Sequence, residues 1–289
     1  MKRVLRWTAV GLGALVAIAV VAYGVVYVVS ERTLARAYPF APIAITVPSD
    51  AEAIAEGGRL ARVQLCLSCH GDNGEGRLLF EQLLIAHIVA PNLTTAAARY
   101  SDSELVGIVR SGVRPDGRSM VVMPSSVMRL LSDADLGKII AFLRSLPAAK
   151  GPGPDVGIGP LGRIGLLQGL YKIEAQLVAE AVLPPDAVGE AAARGRYLAS
   201  TICSHCHGTD LRGAPPLAGD AGTPPLLIVA AYSPEAFTRL LREGVALGDR
   251  ELGEMREVAR GALHALTDAE IADLYVYLHE LAPAPGPKS

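Results

Sequence analysis

The chain has 289 residues, of which 51% are hydrophobic and 19% charged, and its formal net charge is −2. Three of its 27 basic residues, Lys2, Arg3 and Arg6, precede the first of its 29 acidic residues, Glu31, so the remainder of the chain carries a net charge of −5. This length suits about two domains. The negative charge disfavours nucleic acid and anionic lipid surfaces as partners and favours a basic docking partner.

The first predicted element is a membrane anchor at residues 1–30. The segment from Thr8 to Val29 has no charged residue, and as a helix it would span about 33 Å, enough for a hydrocarbon core of about 30 Å. The basic residues before it predict a cytoplasmic N-terminus and an exported remainder. The alternative is a cleaved signal peptide ending near Ala35-Arg36-Ala37, but the apolar regions of signal peptides are typically only about 7–15 residues long. We therefore expect a single-pass protein of the inner (cytoplasmic) membrane, with a periplasmic linker at residues 31–54.

The strongest motif occurs twice, as Cys66-Leu-Ser-Cys69-His70 and as Cys203-Ser-His-Cys206-His207, and these motifs contain all four cysteines of the chain. Cys-x-x-Cys-His is the attachment signature of c-type haem, in which the two thiols bind the porphyrin covalently and the histidine binds iron. Four thiolates could instead bind one zinc ion, but that would leave both histidines unexplained. Thioredoxin-like dithiols would need a βαβ context that neither segment shows. The sequence thus predicts two covalently bound haem c groups.

The two motifs belong to an internal duplication, which predicts modules at residues 55–147 and 190–282. Matching segments are Gly58-Arg59 with Gly195-Arg196, Tyr100-Ser101 with Tyr232-Ser233, and Leu131–Asp135 with Leu266–Glu270. Ser132 and Thr267 are predicted N-caps of the last helix of each module, with Asp135 and Glu270 at the capping-box position. No sustained period-two alternation occurs, so we expect few strands.

In the first module the predicted distal iron ligand is Met123, because the following Pro124 would hold an extended backbone and present the thioether. Met120 is the alternative, and Met128 is expected to pack against its apolar neighbours. His87 would give a bis-histidine haem instead, but it lies in an apolar run and is expected to be a core or surface residue.

The segment 148–189 is predicted to be an inter-module linker containing a helix. Glycines and prolines from Gly151 to Pro160 are typical of a linker, and Leu166, Leu170, Ile173 and Leu177 form one helical stripe after it. A membrane or partner contact is the alternative to burial against the modules, although four charged residues exclude a spanning helix.

In the second module the predicted distal ligand is Met255, the only methionine there, with His264 as the alternative. His279 is expected on a helix face, and His205 is expected to point away from the distal position. Residues 283–289 are expected to form a loose tail.

Further residues are predicted to support the haems. Pro91 and Pro224 occupy equivalent loops and would offer backbone carbonyls to orient the axial histidines. The alternative is that both prolines only shape their loops. Arg59 and Arg196, together with Arg110 and Arg242, recur between the modules and would meet haem propionates, unless they lie on solvated helix faces.

Several segments carry a family resemblance. Gly112–Arg118, Met123-Pro124, Leu131–Asp135 and Phe142–Pro147 resemble class I cytochrome c modules, and with Ala90–Thr94 they are similar to the membrane-bound cytochrome subunits of periplasmic alcohol, aldehyde and gluconate dehydrogenases. The second module, with Met255–Arg260, resembles a sister type found in small dihaem cytochromes. The resemblance implies an all-α fold of two tandem modules behind the anchor, and it implies that the methionine before proline, Met123, is an axial ligand. Many of these subunits carry three haems and a C-terminal anchor, which differs from this chain.

The expected function is electron transfer rather than enzymatic catalysis. The chain would relay electrons from a periplasmic or membrane-bound donor, such as a dehydrogenase or a quinol-oxidising complex, to an acceptor such as a terminal oxidase. It could belong to a larger respiratory or dehydrogenase complex. The alternatives are a dihaem oxidoreductase of the peroxidase or thiosulfate-oxidising type, with one open haem site, and a haem-based sensor. The sensor would need an output domain, and only about seven residues precede the apolar segment.

Overall fold

The structure is a computed structural model, and it describes residues 1–153, 155–214 and 222–281. The described part is predominantly helical, as predicted, with a small three-stranded sheet and a short two-stranded one. The predicted tail at 283–289 lies outside the described residues.

The first helix, α1 (Lys2–Leu34), contains the apolar segment, and it is the one helix of the described residues long and apolar enough to cross a membrane. The chain after it is extended and lies against the first module. Backbone hydrogen bonds join Tyr38 N to Gly117 O and Ile43 N to Ser103 O, at 2.8 and 2.9 Å. The predicted linker 31–54 is therefore packed along the module for much of its length.

The first module is built around two crossing helices, the one before the haem motif and the last one. Its elements in chain order are α2 (Ala51–Val63), α3 (Cys66–His70), β1 (Arg77–Gln82), β2 (Ala86–Ala90), α4 (Leu93–Arg99), α5 (Asp102–Ser111), α6 (Ser125–Met128) and α7 (Asp133–Ser145). Leu60, Leu67, Val106, Leu136 and Ile140 belong to the apolar core between these elements.

The segment between the modules forms a strand and two short helices rather than one long helix. β3 (Asp155–Ile158) pairs antiparallel with β2, which also pairs with β1. α8 (Pro160–Leu167) packs on α1, and α9 (Glu174–Glu180) packs on α6. The predicted stripe from Leu166 to Leu177 is interrupted because Gly169 adopts a left-handed conformation, with φ of +73°, which ends a helix.

The second module repeats the main helices of the first, with different connections between them. Its elements are α10 (Glu190–Leu198), a π-helical turn (Ala199–Cys203), α11 (Ser204–His207), a 3₁₀ helix (Leu226–Ala231), α12 (Pro234–Glu243), β4 (Val245–Ala246), a 3₁₀ turn (Leu247–Asp249), β5 (Arg250–Glu251), α13 (Gly253–Gly261), a 3₁₀ turn (Leu263–Ala265) and α14 (Asp268–Glu280). Its core includes Val63 of the first module, so α2 takes part in the core of the second module.

The predicted N-caps are present in both modules. Ser132 Oγ accepts a hydrogen bond from Asp135 N, and Thr267 Oγ1 accepts one from Glu270 N, each at 3.1 Å. The full capping box forms at Thr267. In the first module the Asp135 carboxylate instead accepts a hydrogen bond of 2.6 Å from the Tyr197 hydroxyl of the second module.

The helices before the two haem motifs, α2 and α10, correspond to each other in the structure with a shift of one residue from the matching predicted from the sequence. A Cβ on Gly57 would lie 2.0 Å from Lys138 O, and one on Gly195 would lie 2.0 Å from Asp273 O, so these two glycines are the equivalent crossing points. Gly58, which the sequence pairs with Gly195, meets only the Phe142 ring. The extra residue in the first module is accommodated by a break at Leu65, which has φ of +62°.

With this alignment the two modules contact each other in a nearly symmetric way. Arg59 pairs with Glu270 at 2.8 Å, and Tyr197, which is equivalent to Arg59, binds Asp135, which is equivalent to Glu270. The first helix of each module therefore binds the start of the last helix of the other module, as expected for an isologous interface.

Candidate haem sites

The first haem motif forms a single helical turn with a sharp entry and exit. α3 starts after the left-handed Leu65 and ends at Gly71, which has φ of +83°. Cys66 is half-buried, Cys69 is exposed, and His70 is only 8% exposed. In the second motif the chain reaches Cys203 through the π-helical turn and leaves at Gly208, with φ of +78°. Glycine suits both exits because a side chain would be strained at these angles.

Both predicted axial histidines are oriented by the carbonyls that the sequence suggested. His70 Nδ1 donates to Pro91 O and His207 Nδ1 donates to Pro224 O, each at 2.8 Å. A proton held on Nδ1 leaves Nε2 as the unprotonated nitrogen, which is the arrangement of a metal-ligating imidazole. Burial lowers the pKa of both imidazoles, which favours the neutral form that binds iron.

The loops that supply these carbonyls are held by a second pair of contacts. Gly76 N donates to His70 O at 2.7 Å, and Gly213 N donates to His207 O at 2.8 Å. A Cβ on Gly76 would lie 2.7 Å from Ala90 O, and one on Gly213 would lie 2.3 Å from Thr223 O. Both positions therefore require glycine for the loop to approach its histidine.

The predicted distal methionines lie in the same apolar clusters as haem-motif cysteines. Met123 is half-buried and packs with Cys66 against the core of the first module. Met255, on α13, is half-buried and packs with Cys203 against the core of the second module. Their role as iron ligands stays a prediction.

The alternative ligands of the first module occupy other environments. Met120 offers its backbone carbonyl to Glu174 N at 3.0 Å. Met128 is buried in the core, as its packing role predicts. His87 lies on β2, with ring nitrogens 3.5 Å from Glu81 and 3.6 Å from Asp155, which makes it a surface histidine between two carboxylates.

Two of the remaining histidines of the second module are exposed, and the third is hydrogen-bonded to the backbone. His264 is exposed, and its carbonyl accepts a hydrogen bond from Arg242. His279 is exposed on α14, with its ring centroid 5.4 Å from that of Tyr275. His205 Nε2 donates to Thr201 O at 3.1 Å, and burial lowers the pKa of His205 to about 4. It is therefore a neutral structural residue at neutral pH.

The four recurring arginines have protein partners. Arg59 binds Glu56, Glu270 and the Ala265 carbonyl, whereas Arg196 binds the carbonyls of Pro184 and Pro185. Arg110 and Arg242 pair with Asp133 and Asp268, the first residues of α7 and α14. Arg59 therefore links the two modules, whereas Arg110 and Arg242 each link two helices of one module and Arg196 binds the segment before α10. Propionate contact remains a prediction.

Glu174 is a buried residue that the sequence did not single out for the first site. Its side chain is in the core at 4% exposure, where Oε2 accepts a hydrogen bond of 3.0 Å from Ser126 N, at the start of the helix that follows Met123-Pro124. Burial raises the pKa of Glu174. Its charge, isolated in the apolar stretch from Ile173 to Val178, was the signal available in the sequence.

The donor sets fit haem attachment better than a zinc site. Within residues 1–153, 155–214 and 222–281, no group of three or more His, Cys, Asp or Glu residues could hold a metal ion. Burial raises the pKa of Cys66 and of Cys203 to about 12, so both are thiols at neutral pH in the metal-free chain. Each motif instead offers two thiols on one helical turn beside an oriented imidazole.

Fold and sites together define a helical protein of two modules, each with one Cys-x-x-Cys-His turn and a histidine oriented by a proline carbonyl. A sequence model of the family described as Cytochrome c matches residues 54–147 and 192–282, more than half of the chain. The chain therefore belongs to the cytochrome c family, which confirms the predicted fold class. No curated protein matches the chain.

Proposed function

We propose that this protein is a membrane-anchored dihaem cytochrome c that relays electrons between a donor and an acceptor on the periplasmic side of the inner membrane. Membership of the family already implies covalent haem c and electron transfer. The proposal adds two haems, held by Cys66, Cys69 and His70 and by Cys203, Cys206 and His207, with Met123 and Met255 as distal ligands. Haem with His/Met ligation supplies a raised reduction potential.

The proposed electron relay is supported by the position of the two haem motifs relative to each other. Gln64 Nε2 donates to Thr201 Oγ1 at 3.1 Å across the module interface, in a fully buried contact. Gln64 and Thr201 each lie two residues before the first haem cysteine of their module. A direct contact beside both attachment sites supports passage of an electron from one module to the other within a single chain.

The anchor and the partners are part of the same proposal. α1 has 33 residues, and its most apolar window has a mean hydropathy of 2.5, which supports a single span that keeps both modules at the membrane surface. We infer that the donor is a dehydrogenase or quinol-oxidising complex, that the acceptor is a protein such as a terminal oxidase, and that the chain is not itself an enzyme. Modules 55–147 and 190–282, an anchor at 1–30 and linkers at 31–54 and 148–189 are the proposed domains.

Carbon monoxide binding tests the ligands and separates a carrier from an enzyme. In the reduced full chain we expect no optical shift, because both irons carry a distal methionine. Met123→Ala and Met255→Ala should each open about half of the total haem to carbon monoxide, whereas the core variant Met128→Leu should open none. Binding by half of the haem in the unaltered protein would favour a dihaem oxidoreductase with one open site.

A further inference from the structure

The exposed face of α8 is apolar, although the helix lies on the surface. Leu161, Ile164 and Leu167 are each more than a third exposed, and their spacing of three residues places them on one side of the helix. The other side is buried and contains Arg163, the only charged residue of α8. A helix whose solvent-facing side is apolar is not typical of a water-exposed surface helix, which has polar residues on that side.

The turn between β1 and β2 extends this apolar surface. Leu161 N donates to Leu84 O and Gly159 N donates to Ile85 O, each at 2.8 Å, so the turn lies against the start of α8. Leu83 at this turn is 93% exposed and Leu84 is 53% exposed. We call the surface formed by Leu83, Leu84, Leu161, Ile164 and Leu167 the leucine patch.

The leucine patch is held beside the end of the apolar segment of α1. Arg163 donates to Ser30 Oγ at 2.9 Å, pairs with Glu31 at 3.0 Å, and places its guanidinium carbon 4.1 Å from the centre of the Tyr27 ring. Tyr23 and Tyr27 form an edge-to-face pair on the same helix. Tyrosines near the end of a spanning helix are typical of the level where lipid headgroups meet the acyl chains.

We propose that the leucine patch enters the interfacial layer of the lipid bilayer beside α1. This inference rests on the proposed membrane anchor. If α1 spans the membrane, its contacts with Arg163 hold α8 at the level of its exit, where exposed leucines would contact acyl chains rather than water. The charge of Arg163 is matched there by Glu31 and covered by Tyr27, which suits a medium of low polarity.

The contact would be apolar and would not require anionic lipid. The net negative charge of the exported part disfavours electrostatic attachment, whereas leucines bind any acyl-chain layer through burial of their surface. Since β2 leads directly to Pro91, whose carbonyl orients His70, the patch would also hold the first haem module in one orientation at the membrane. The anchor would then have a second point of attachment and would not be a free tether.

The experiment uses the full chain with both haems in phosphatidylcholine nanodiscs that contain a lipid with a photoreactive diazirine in its acyl chain. After illumination, lipid adducts are located by mass spectrometry of peptides. We expect adducts in α1 and in the peptides containing Leu83-Leu84 and residues 161–167, and none in the surface segment 247–260. The double variant Leu161→Ser, Leu167→Ser should lose the adducts in its own segment and keep those in α1.

The matched control is the double variant Leu183→Ser, Val188→Ser, which changes exposed apolar residues outside the leucine patch and should leave the labelling unchanged. Adducts in α1 without adducts in the patch would overturn this proposal alone. Absence of adducts in α1 would overturn the membrane anchor itself, and with it the lipid contact.

Discussion

At the scale of single residues, the predicted axial histidines and Glu174 show how burial and one hydrogen bond set the chemical state of a side chain. His70 and His207 are neutral and hold their Nδ1 protons on proline carbonyls. Glu174 is buried against the segment that presents Met123, and its carboxylate accepts a hydrogen bond from the Ser126 backbone. Since an unpaired buried donor costs about 1–3 kcal/mol, this glutamate stabilises the turn next to the predicted ligand.

Replacing Glu174 tests this role. Glu174→Ala should lower the free energy of unfolding by about 1–3 kcal/mol, because it leaves Ser126 N–H without its acceptor. Glu174→Gln keeps an acceptor oxygen and should cost less. Chemical denaturation of the two variants, followed by haem absorbance, makes the comparison, and equal losses would show that the hydrogen bond is unimportant.

The raised pKa of Glu174 predicts how the free energy of unfolding depends on pH. Because burial raises the pKa of Glu174 in the folded state, the folded protein binds this proton more tightly than the unfolded chain. Protonation of Glu174 therefore favours folding. Its contribution is complete below the ordinary pKa of an unfolded glutamate and declines as the pH rises through the raised pKa. The difference in unfolding free energy between the unaltered protein and Glu174→Gln should therefore fall with rising pH. A difference that is constant from pH 4 to 8 would contradict the raised pKa.

At the scale of elements, each module depends on one close helix crossing. α2 crosses α7 at Gly57 and α10 crosses α14 at Gly195, where a Cβ would overlap a backbone carbonyl oxygen. Backbone atoms cannot move aside as the end of a flexible side chain can, so a larger residue has to separate the helices. Because α2 leads directly into the haem motif, this separation would also displace the attachment site.

Gly57→Ala and Gly195→Ala should each lower the unfolding free energy by about 1–3 kcal/mol or more through overpacking. Gly261→Ala is the control, since a Cβ at Gly261 would meet nothing within 4 Å, and it should be neutral or stabilising by up to about 1 kcal/mol. Thermal unfolding measures all three. A tolerated Gly57→Ala would mean that the crossing is looser than the structure shows.

At the scale of the whole molecule, the two modules form one unit through a nearly symmetric interface. Gln64 contacts Thr201 near its centre, and the Arg59–Glu270 and Tyr197–Asp135 contacts flank this point. Arg59 and Glu270 are 24% and 20% exposed in their side chains, so water screens this pair less than a surface pair. The relative position of the haem motifs follows from these contacts.

A double-mutant cycle measures the coupling across the interface. For Arg59→Leu, Glu270→Gln and the combined variant, we expect a coupling energy of about 0.5–1.5 kcal/mol. The cycle on the exposed pair of Arg239 and Asp249, which are 49% and 78% exposed, should give about 0–0.5 kcal/mol. Additive effects of Arg59→Leu and Glu270→Gln would show that the ion pair does not hold the modules together.

The sequence by itself determined the haem chemistry, the duplication and the apolar first helix, because these are local patterns: cysteine and histidine spacing, matched segments and an uncharged run. The N-caps at Ser132 and Thr267 were predictable for the same reason. The roles of Asp135 and Arg59 in the partner module, the one-residue shift at Leu65 and the burial of Glu174 were not. They depend on atoms far apart in the chain, and only packing of the tertiary structure decides which of several sterically allowed contacts forms.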